Sequence, residues 1–536
     1  MPLENDRTME EMRLYTAGIS DFERIREDNR IYIDKTDLIY QLTKESQFIF
    51  LSRPRRFGKT LLCSTLQYYF QGRKDLFDGL KIEQLEKSWK QYPVFRFDIS
   101  ACKYKRNTDE IVDELMYQVA KYERKYGAEN DSKTPGTRLK SLIEKAHEMT
   151  GLKAVVIIDE YDSPLLEHLY DDMQADVRRT LQEFYQVLKI CDADEQFVFI
   201  TGITKFSQLS IFSSINNLTN ISMLPQYAAI CGITKEEMEE TFASDIAELA
   251  KFNHRTTEDT AVYLKQQYDG YHFCESSPDI YNPFSLTNAF KNKKVESYWF
   301  QSGTPTFLFE HVKRFGTDVL SLSQLQVTSN QFDIPTEAMT SALPLLYQSG
   351  YLTIKGYDFY SQTYILDYPN AEVKTGFLDC FLQTVLNIKG YDSQGFAGML
   401  YASLIYHDIE KFMATMKAFF ASIPYHDHGN AILEKLTTYE AYYEVLSYVV
   451  FSMINCRTFT QVKTTLGRTD VVIHMNDIVY VIEIKLDRPA AEALRQIGEN
   501  GYMIPYLAEG KPIVKIGISF SSATRTVEEW IIDEGK

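Results

Sequence analysis

No stretch of this chain stays apolar for the ~20 residues that a helix needs to cross a bilayer, so no membrane span is expected. Cysteine is sparse and scattered, with seven thiols at positions 63, 102, 191, 231, 274, 380 and 456 and no Cys-x-x-Cys pair. An odd, dispersed set excludes a disulfide framework and a structural zinc site, and reads as reduced thiols in a cytoplasm. The opening Met1-Pro2-Leu3-Glu4-Asn5-Asp6 has no basic segment followed by an apolar run, so no secretory signal is expected. No internal repeat or low-complexity tract interrupts the chain. A Gly-x-Ser-x-Gly elbow is missing, and His147-Glu148 has no second histidine at the zinc-protease spacing. Positive charge is also short: 57 Lys and Arg face 74 Asp and Glu, for a formal net charge of −17. That balance argues against indiscriminate nucleic-acid binding over the whole surface. The acidity is uneven, since residues 157–195 hold eleven acids against three bases but residues 460–536 hold eleven against nine. Any nucleic acid must then be met by a local basic patch or through bound metal.

What remains is an ordinary globular composition, 44% hydrophobic and 13% aromatic, in a 536-residue chain too long for one core. The first third alternates short apolar runs with helical stretches, the rhythm of a parallel sheet flanked by helices in an α/β fold. Strands are expected at Phe48–Ser52, Val94–Ile99, Ala154–Ile158 and Phe197–Thr201, with helices near 60–70, 108–126, 137–149 and 171–190. Between the first strand and first helix lies Arg53-Pro54-Arg55-Arg56-Phe57-Gly58-Lys59-Thr60. Its end has the chemistry of a phosphate-binding loop. Glycine lets backbone amides approach phosphate, lysine neutralises phosphoryl oxygens, a threonine hydroxyl ligates Mg²⁺, and the helix N-terminus adds its positive dipole end. Arg55, Arg56, Gly58, Lys59 and Thr60 are read as the ATP-binding residues here. The first glycine of the usual Gly-x4-Gly-Lys-Thr pattern would fall at Arg53. The loop must either adopt a different conformation there or carry Arg53 outward.

A lone Gly-Lys-Thr is a weak signal. It gains weight from Val155-Val156-Ile157-Ile158-Asp159-Glu160, an apolar strand ending in two acids. Asp159 would hold Mg²⁺ and Glu160 would polarise the attacking water. Thr201, at the end of the next strand, stands where a γ-phosphate sensor would sit. Four strands in this order suit the P-loop ATPases with an additional strand and a catalytic glutamate; the competing reading is a buried strand capped by solvated acids. Arg178-Arg179 could serve a neighbouring subunit as an arginine finger or form a helix-surface pair, and a homo-oligomer is left open.

The middle is helical with irregular connections from about 233 to 330. A helix over Thr336–Ser349 is then expected, followed by a hairpin from Tyr351-Leu352-Thr353-Ile354 and Tyr364-Ile365-Leu366. Helix plus hairpin is winged-helix-like; a helical subdomain packed on the ATPase core is the alternative. Residues 376–455 again read as helical.

Near the C-terminus, Arg468–Met475 and Ile478–Lys485 read as strands joined by the two-residue turn Asn476-Asp477. Antiparallel pairing then matches residues whose numbers sum to 953: Met475 with Ile478, Val472 with Val481, Asp470 with Glu483. Opposed side chains have β-carbons ~5 Å apart, so two carboxylates are brought together. Lys485, two residues beyond Glu483, shares their face of the pleat. Two acids and a lysine make a divalent-metal site with a cation beside it, the constellation that cuts phosphodiesters. A solvated charge pair on an exposed sheet face is the competing reading. His426-Asp427-His428 follows Pro424, has no third ligand in spacing, and reads as a solvated loop.

These segments resemble a known family, the bacterial AAA-ATPase-like proteins with a C-terminal PD-(D/E)XK nuclease domain. The matching stretches are Tyr32-Ile33-Asp34-Lys35-Thr36, the Arg53–Thr60 loop, Ile158-Asp159-Glu160-Tyr161-Asp162 and Thr201-Gly202-Ile203-Thr204-Lys205-Phe206. Tyr268-Asp269-Gly270-Tyr271, Tyr281-Asn282-Pro283-Phe284-Ser285, Leu346–Leu352, Tyr368-Pro369-Asn370 and Asp470…Glu483-Ile484-Lys485 continue the match over nearly the whole chain. The resemblance implies ATP binding, a restriction-endonuclease-like α/β domain, and Asp470 and Glu483 as Mg²⁺ or Mn²⁺ ligands, with Lys485 orienting or deprotonating water. It also implies a further acid from a preceding helix, for which Glu444 and Glu440 both remain candidates, and a glutamine near the site, Gln496. The expected division is a P-loop ATPase over 1–232, a helical or winged-helix-like middle over 233–379, and a nuclease-like domain over 380–536. The expected function is ATP binding or hydrolysis coupled to Mg²⁺-dependent cleavage of DNA or RNA. The alternative is an ATPase-driven signalling or scaffolding protein whose inactive nuclease fold binds nucleic acid or a protein.

Overall fold

The computed structural model of the chain describes residues 14–102, 107–128, 131–205, 217–300, 306–317, 319–335, 339–384, 393–422, 448–451, 457–464, 467–475, 477–524 and 526–534. These fall into two compact units. One comprises the chain through Leu308 together with Ser323–Glu372, and the other Phe309–Leu322 together with Val373 onward. Among the described residues no helix is long and apolar enough to cross a membrane.

The first unit is built on a parallel sheet of β1 (Phe48–Ser52), β2 (Val94–Asp98), β3 (Ala154–Asp159), β4 (Glu195–Gly202) and β5 (Thr219–Asn220), in the order β2-β3-β4-β1-β5. Its central strands are continuous apolar runs because helices cover both faces. Every residue of β3 is buried. On one face Phe48, Phe97, Val156, Ile158 and Ile200 meet helices α2 (Thr108–Tyr126), α3 (Pro135–Thr150) and α4 (Gln174–Ile190); α1 (Lys59–Phe70) follows β1 directly. Helix α2 has the bounds its periodicity predicts. Asn107 caps its N-terminus by accepting from the Glu110 amide, and Gly127 ends it at φ 60°. The short strand β5 escapes sequence reading, as two residues carry no periodicity.

Helices α5 (Lys235–Phe252), α6 (Thr257–Tyr268) and α7 (Pro283–Asn292) share an apolar cluster around Phe242, Leu264 and Phe290. The expected helix over 336–349 is shorter: α8 (Leu343–Gln348) begins with Pro344 in its first turn, and residues 336–338 lie outside the described set. The hairpin forms as β7 (Thr353–Asp358) and β8 (Thr363–Asp367). A strand not expected from sequence, β6 (Leu325–Val327), pairs antiparallel on the open side of β8.

The second unit contains helix α9 (Ala371–Thr384) from Val373 onward, α10 (Ser393–Ile405) and α11 (Ile409–Ser422), in the region expected to be helical. Its sheet runs β9 (Arg457–Thr464), β10 (Gly467–His474), β11 (Val479–Leu486), β12 (Ile513–Ser521), β13 (Thr526–Asp533), in that order. Strand β9, which follows the stretch read as helical and precedes the expected strand pair, is not among the strands expected from sequence. The register of β10 on β11 is the expected one, with Val472 opposite Val481 and His474 opposite Val479. Strands β11 and β12 are parallel, joined by a crossover containing α12 (Ala490–Glu499). Val472, Val479, Val481, Ile497 and Tyr502 form the core beneath that helix. Gly517, paired with Glu483, allows the close approach: a β-carbon there would lie 2.4 Å from the Ala490 carbonyl oxygen and 2.7 Å from the Leu494 amide.

Glu195 opens β4 at 1% exposure, with neither carboxylate oxygen partnered among the described residues. Burial, reinforced by Asp192 and Asp194, pushes its carboxyl up to about 9. The folded chain therefore keeps a proton there that the unfolded chain releases, and stability falls as pH rises from about 4.5 to about 9. Glu195→Gln abolishes this titration. Calorimetry should show a melting temperature raised by a few degrees at mildly alkaline pH and unchanged near the unfolded carboxyl's own pKa. Gly517→Val should destabilise the second unit by about 1–3 kcal/mol as α12 is forced outward. In a Trp89→Phe, Trp299→Phe background, the fluorescence of Trp530 on β13 reports that unfolding transition.

Candidate functional site

The loop between β1 and α1 is shaped by residues that point away from its opening. Arg53, standing where the first glycine is usual, is 2% exposed and turned inward. Its guanidinium donates to the carbonyls of Ser52 (2.9 Å), Ser222 (2.7 Å) and Tyr227 (3.1 Å), with its carbon 4.0 Å from the centre of the Phe273 ring. Of the two alternatives for the loop, an outward Arg53 is therefore ruled out: three carbonyls and an aromatic face compensate its burial, which lowers its pKa to about 10. The turn itself is made at Arg56 (φ 67°) and Gly58 (φ 92°). Lys59, buried at the start of α1, donates to the Arg53 and Pro54 carbonyls at 2.9 and 3.0 Å. Its ammonium is thus held within the loop.

The strand order then brings the other motif alongside. Asp159 ends β3 at 1% exposure, near the Thr60 hydroxyl and 3.7 Å from the Arg96 guanidinium. Burial pushes its carboxyl up to about 6 against the pull of Arg96, and Oδ1 has no partner among the described residues. Glu160 follows with φ 51°, a backbone state uncommon for a residue with a side chain. A cavity of about 410 Å³ is lined by Arg56, Gly58, Lys59, Thr60 and Glu160, and by apolar Ile19, Ile31, Ile33, Ile230, Ile233 and Phe284. The size and the mixture of polar and apolar walls suit a nucleotide. Arg56 stacks 3.8 Å over Phe284, and burial lowers its pKa.

Three expected residues are not part of this lining: Asp159, just described, Arg55 and Thr201. Arg55 offers its carbonyl to the Trp299 indole at 3.3 Å. Thr201 is fully buried and donates its hydroxyl to the Leu51 carbonyl at 2.7 Å, so it ties β4 to β1. Arg96 was missed in the sequence; a lone cation inside Val94-Phe95-Arg96-Phe97 was the available signal. Arg179 lies 3.6 Å from Asp176 on an exposed helix surface.

In the second unit the pleat sets the geometry. The last paired positions of β10 and β11 are Val471 and Ile482, and one step further the Asp470 carboxylate accepts from the Ile484 amide at 2.8 Å. The Asp470 amide in turn bonds the Glu483 carboxylate. Glu483 is 1% exposed; Oε1 accepts from Lys485 Nζ at 3.0 Å, and Oε2 has no partner among the described residues. Burial and the neighbouring Asp470 charge push the Glu483 carboxyl well above the usual carboxylate range, with Lys485 pulling the other way. Gln496 is half-buried and donates to the Tyr502 hydroxyl at 3.2 Å, and no hydrogen bond joins it to Asp470, Glu483 or Lys485 among the described residues.

The chemistry of both donor sets fits a hard cation. Among the described residues each offers carboxylate oxygen, one of them buried and without a partner, and neither offers sulfur or imidazole, which suits Mg²⁺ or Mn²⁺. Among the described residues no group of three or more His, Cys, Asp or Glu converges. Glu444 and Glu440, as well as His426-Asp427-His428, lie outside the described residues.

Comparison with known proteins matches this division. Residues 16–212 match the AAA-ATPase-like family, described as predicted AAA-ATPases, and residues 438–530 match the PD-(D/E)XK nuclease superfamily. The chain is similar along nearly its whole length to a protein of Azotobacter chroococcum mcd 1 described as an uncharacterized protein in the vnfD 5' region. The two are 32% identical over 528 residues, covering 96% of this chain and 98% of that relative. The chain accordingly belongs to the AAA-ATPase-like family whose members carry a PD-(D/E)XK nuclease-superfamily domain at the C-terminus.

Proposed function

We propose that the first unit binds and hydrolyses ATP and that the second is a Mg²⁺-dependent phosphodiesterase acting on DNA or RNA, with the nucleotide gating or powering cleavage. One observation carries the reading furthest. The unpartnered Asp159 oxygen lies beside the Thr60 hydroxyl, at the foot of the loop that holds Lys59 and next to a cavity of nucleotide size.

In this reading amides at Gly58 and the α1 N-terminus bind phosphate oxygens and Lys59 neutralises them. Apolar side chains such as Ile31 and Phe284 bury the base. Thr60 and Asp159 would hold Mg²⁺, which supplies charge neutralisation at the phosphates when bound. Glu160 orients the attacking water and takes its proton. In the second unit Asp470 and Glu483 would hold the cation, and Lys485 orients or deprotonates the water and steadies charge on the phosphate. The side chain of Gln496 is assigned to positioning near that site.

Lys59→Ala should weaken ATP binding at least tenfold by calorimetric titration. Glu160→Gln should keep that affinity while phosphate release falls about 10²–10³-fold. Incubated with plasmid or RNA and Mg²⁺ or Mn²⁺, Asp470→Ala should lose cleavage and keep ATP turnover. Cleavage that survives in Asp470→Ala rejects the metal site. Retention of nucleic acid by the wild-type protein without cleavage would favour the alternative of an inactive, binding-only nuclease fold.

A further inference from the structure

Asp162 takes no part in the chemistry so far described, yet it is among the most completely engaged carboxylates of the first unit. It is 1% exposed, and among the described residues no ion pair compensates it. Its oxygens instead accept from one dipeptide: the Ile203 amide (3.1 Å), the Thr204 amide (2.6 Å) and the Thr204 hydroxyl (2.5 Å). Three donors converging on one buried carboxylate form a tie that is costly to break, since losing it orphans the donors as well.

The tie joins two segments that meet at the mouth of the sheet. On one side is the turn after β3, where Glu160 sits at φ 51°. A left-handed glutamate is held against its backbone preference, so neighbouring structure must impose it. On the other side is the chain leaving β4. The Tyr161 amide donates to the Thr201 carbonyl at 3.0 Å, between Glu160 and Asp162. Gly202 gives the carboxylate room, because a β-carbon there would lie 2.5 Å from Asp162 Oδ1. The next residue, Lys205, is held in turn: its amide donates to Gln348 Oε1 at 2.8 Å and its ammonium to Asp333. Asp162 therefore anchors the Glu160 turn to a segment that is itself fastened at its far side.

We propose that Asp162 is a positioning residue for hydrolysis: by clamping the Ile203–Thr204 segment it fixes the backbone that aims Glu160 at the nucleotide's terminal phosphate. This rests on the reading of the cavity as an ATP site with Glu160 as its base. A glutamate displaced by ~1 Å loses about 10²-fold in rate while the phosphate-binding loop is untouched. The signature is therefore a loss confined to turnover.

The experiment uses the full-length protein with Mg²⁺-ATP. Asp162→Ala should lower kcat about 10²-fold with KM and the affinity for a non-hydrolysable ATP analogue within about threefold of wild type. Asp162→Asn, which keeps an acceptor for one amide, should recover part of the loss. In the double variant Glu160→Gln, Asp162→Ala the rate should be no lower than in Glu160→Gln alone, because both changes remove the same aimed carboxylate. If Asp162→Ala fails to fold, Thr204→Val removes a single bond of the clamp and should lower kcat about tenfold. Unchanged kcat in the variant that folds, multiplicative losses in the double variant, or affinity falling together with kcat overturns the proposal. A wild-type protein that binds ATP without turning it over overturns the ATPase reading itself, and the positioning role with it.

Discussion

The ladder that seats β4 between β1 and β3 sets the spacing around the cavity. Adjacent strands lie about 4.8 Å apart, so the Arg53–Thr60 loop and the turn bearing Asp159 and Glu160 leave the same edge of the sheet two strand-widths apart, flanking the end of β4. Phe50 pairs with Ile200 and Ile158 also pairs with Ile200, one on each side of the inserted strand. From that distance the Thr60 hydroxyl and the Asp159 carboxylate can meet, and Thr201 can tie β4 back to Leu51. A sheet with β1 and β3 adjacent would put the same motifs in different relation. All this follows from strand order and not from any one contact.

The second unit solves a different problem, that of holding a buried carboxylate, Glu483, beside a half-buried one, Asp470. Asp470 and Glu483 are neighbours by register, and the pleat gives neither a way to turn to the other face. The Asp470 carboxylate caps the Ile484 amide where the ladder stops, and the Asp470 amide and Lys485 compensate Glu483. Gly517 lets α12 close over this face beside them. The Glu483 oxygen that has no partner among the described residues is buried, the condition under which a cation gains most from being bound.

Several of the family's motifs serve the joints of the first unit and not its cavity. Asn282 caps α7 with its side chain, accepting from the Phe284 and Ser285 amides at 3.0 Å each. Gly270, at φ 90°, lies against the Pro369 carbonyl, and Asn370 donates to the Asp269 carbonyl at 3.0 Å. Lys355 closes the joint by bonding the carbonyls of both Gly270 and Pro369. Of these motif residues Phe284 also reaches the cavity, through its stack with Arg56.

The order of residues alone sufficed for the four longer strands of the first sheet, the helix over Thr108–Tyr126, and the face shared by Asp470, Glu483 and Lys485. Those are local properties: an apolar run, a capped periodic stretch, and a two-residue turn that permits one register. Tertiary structure alone decided that β4 is inserted beside β1, that Arg53 is buried under carbonyls from 169 and 174 residues away, and that a glycine at 517 admits α12. Each of these depends on which distant segments come to lie side by side, and periodicity along one segment carries no record of its neighbours in space.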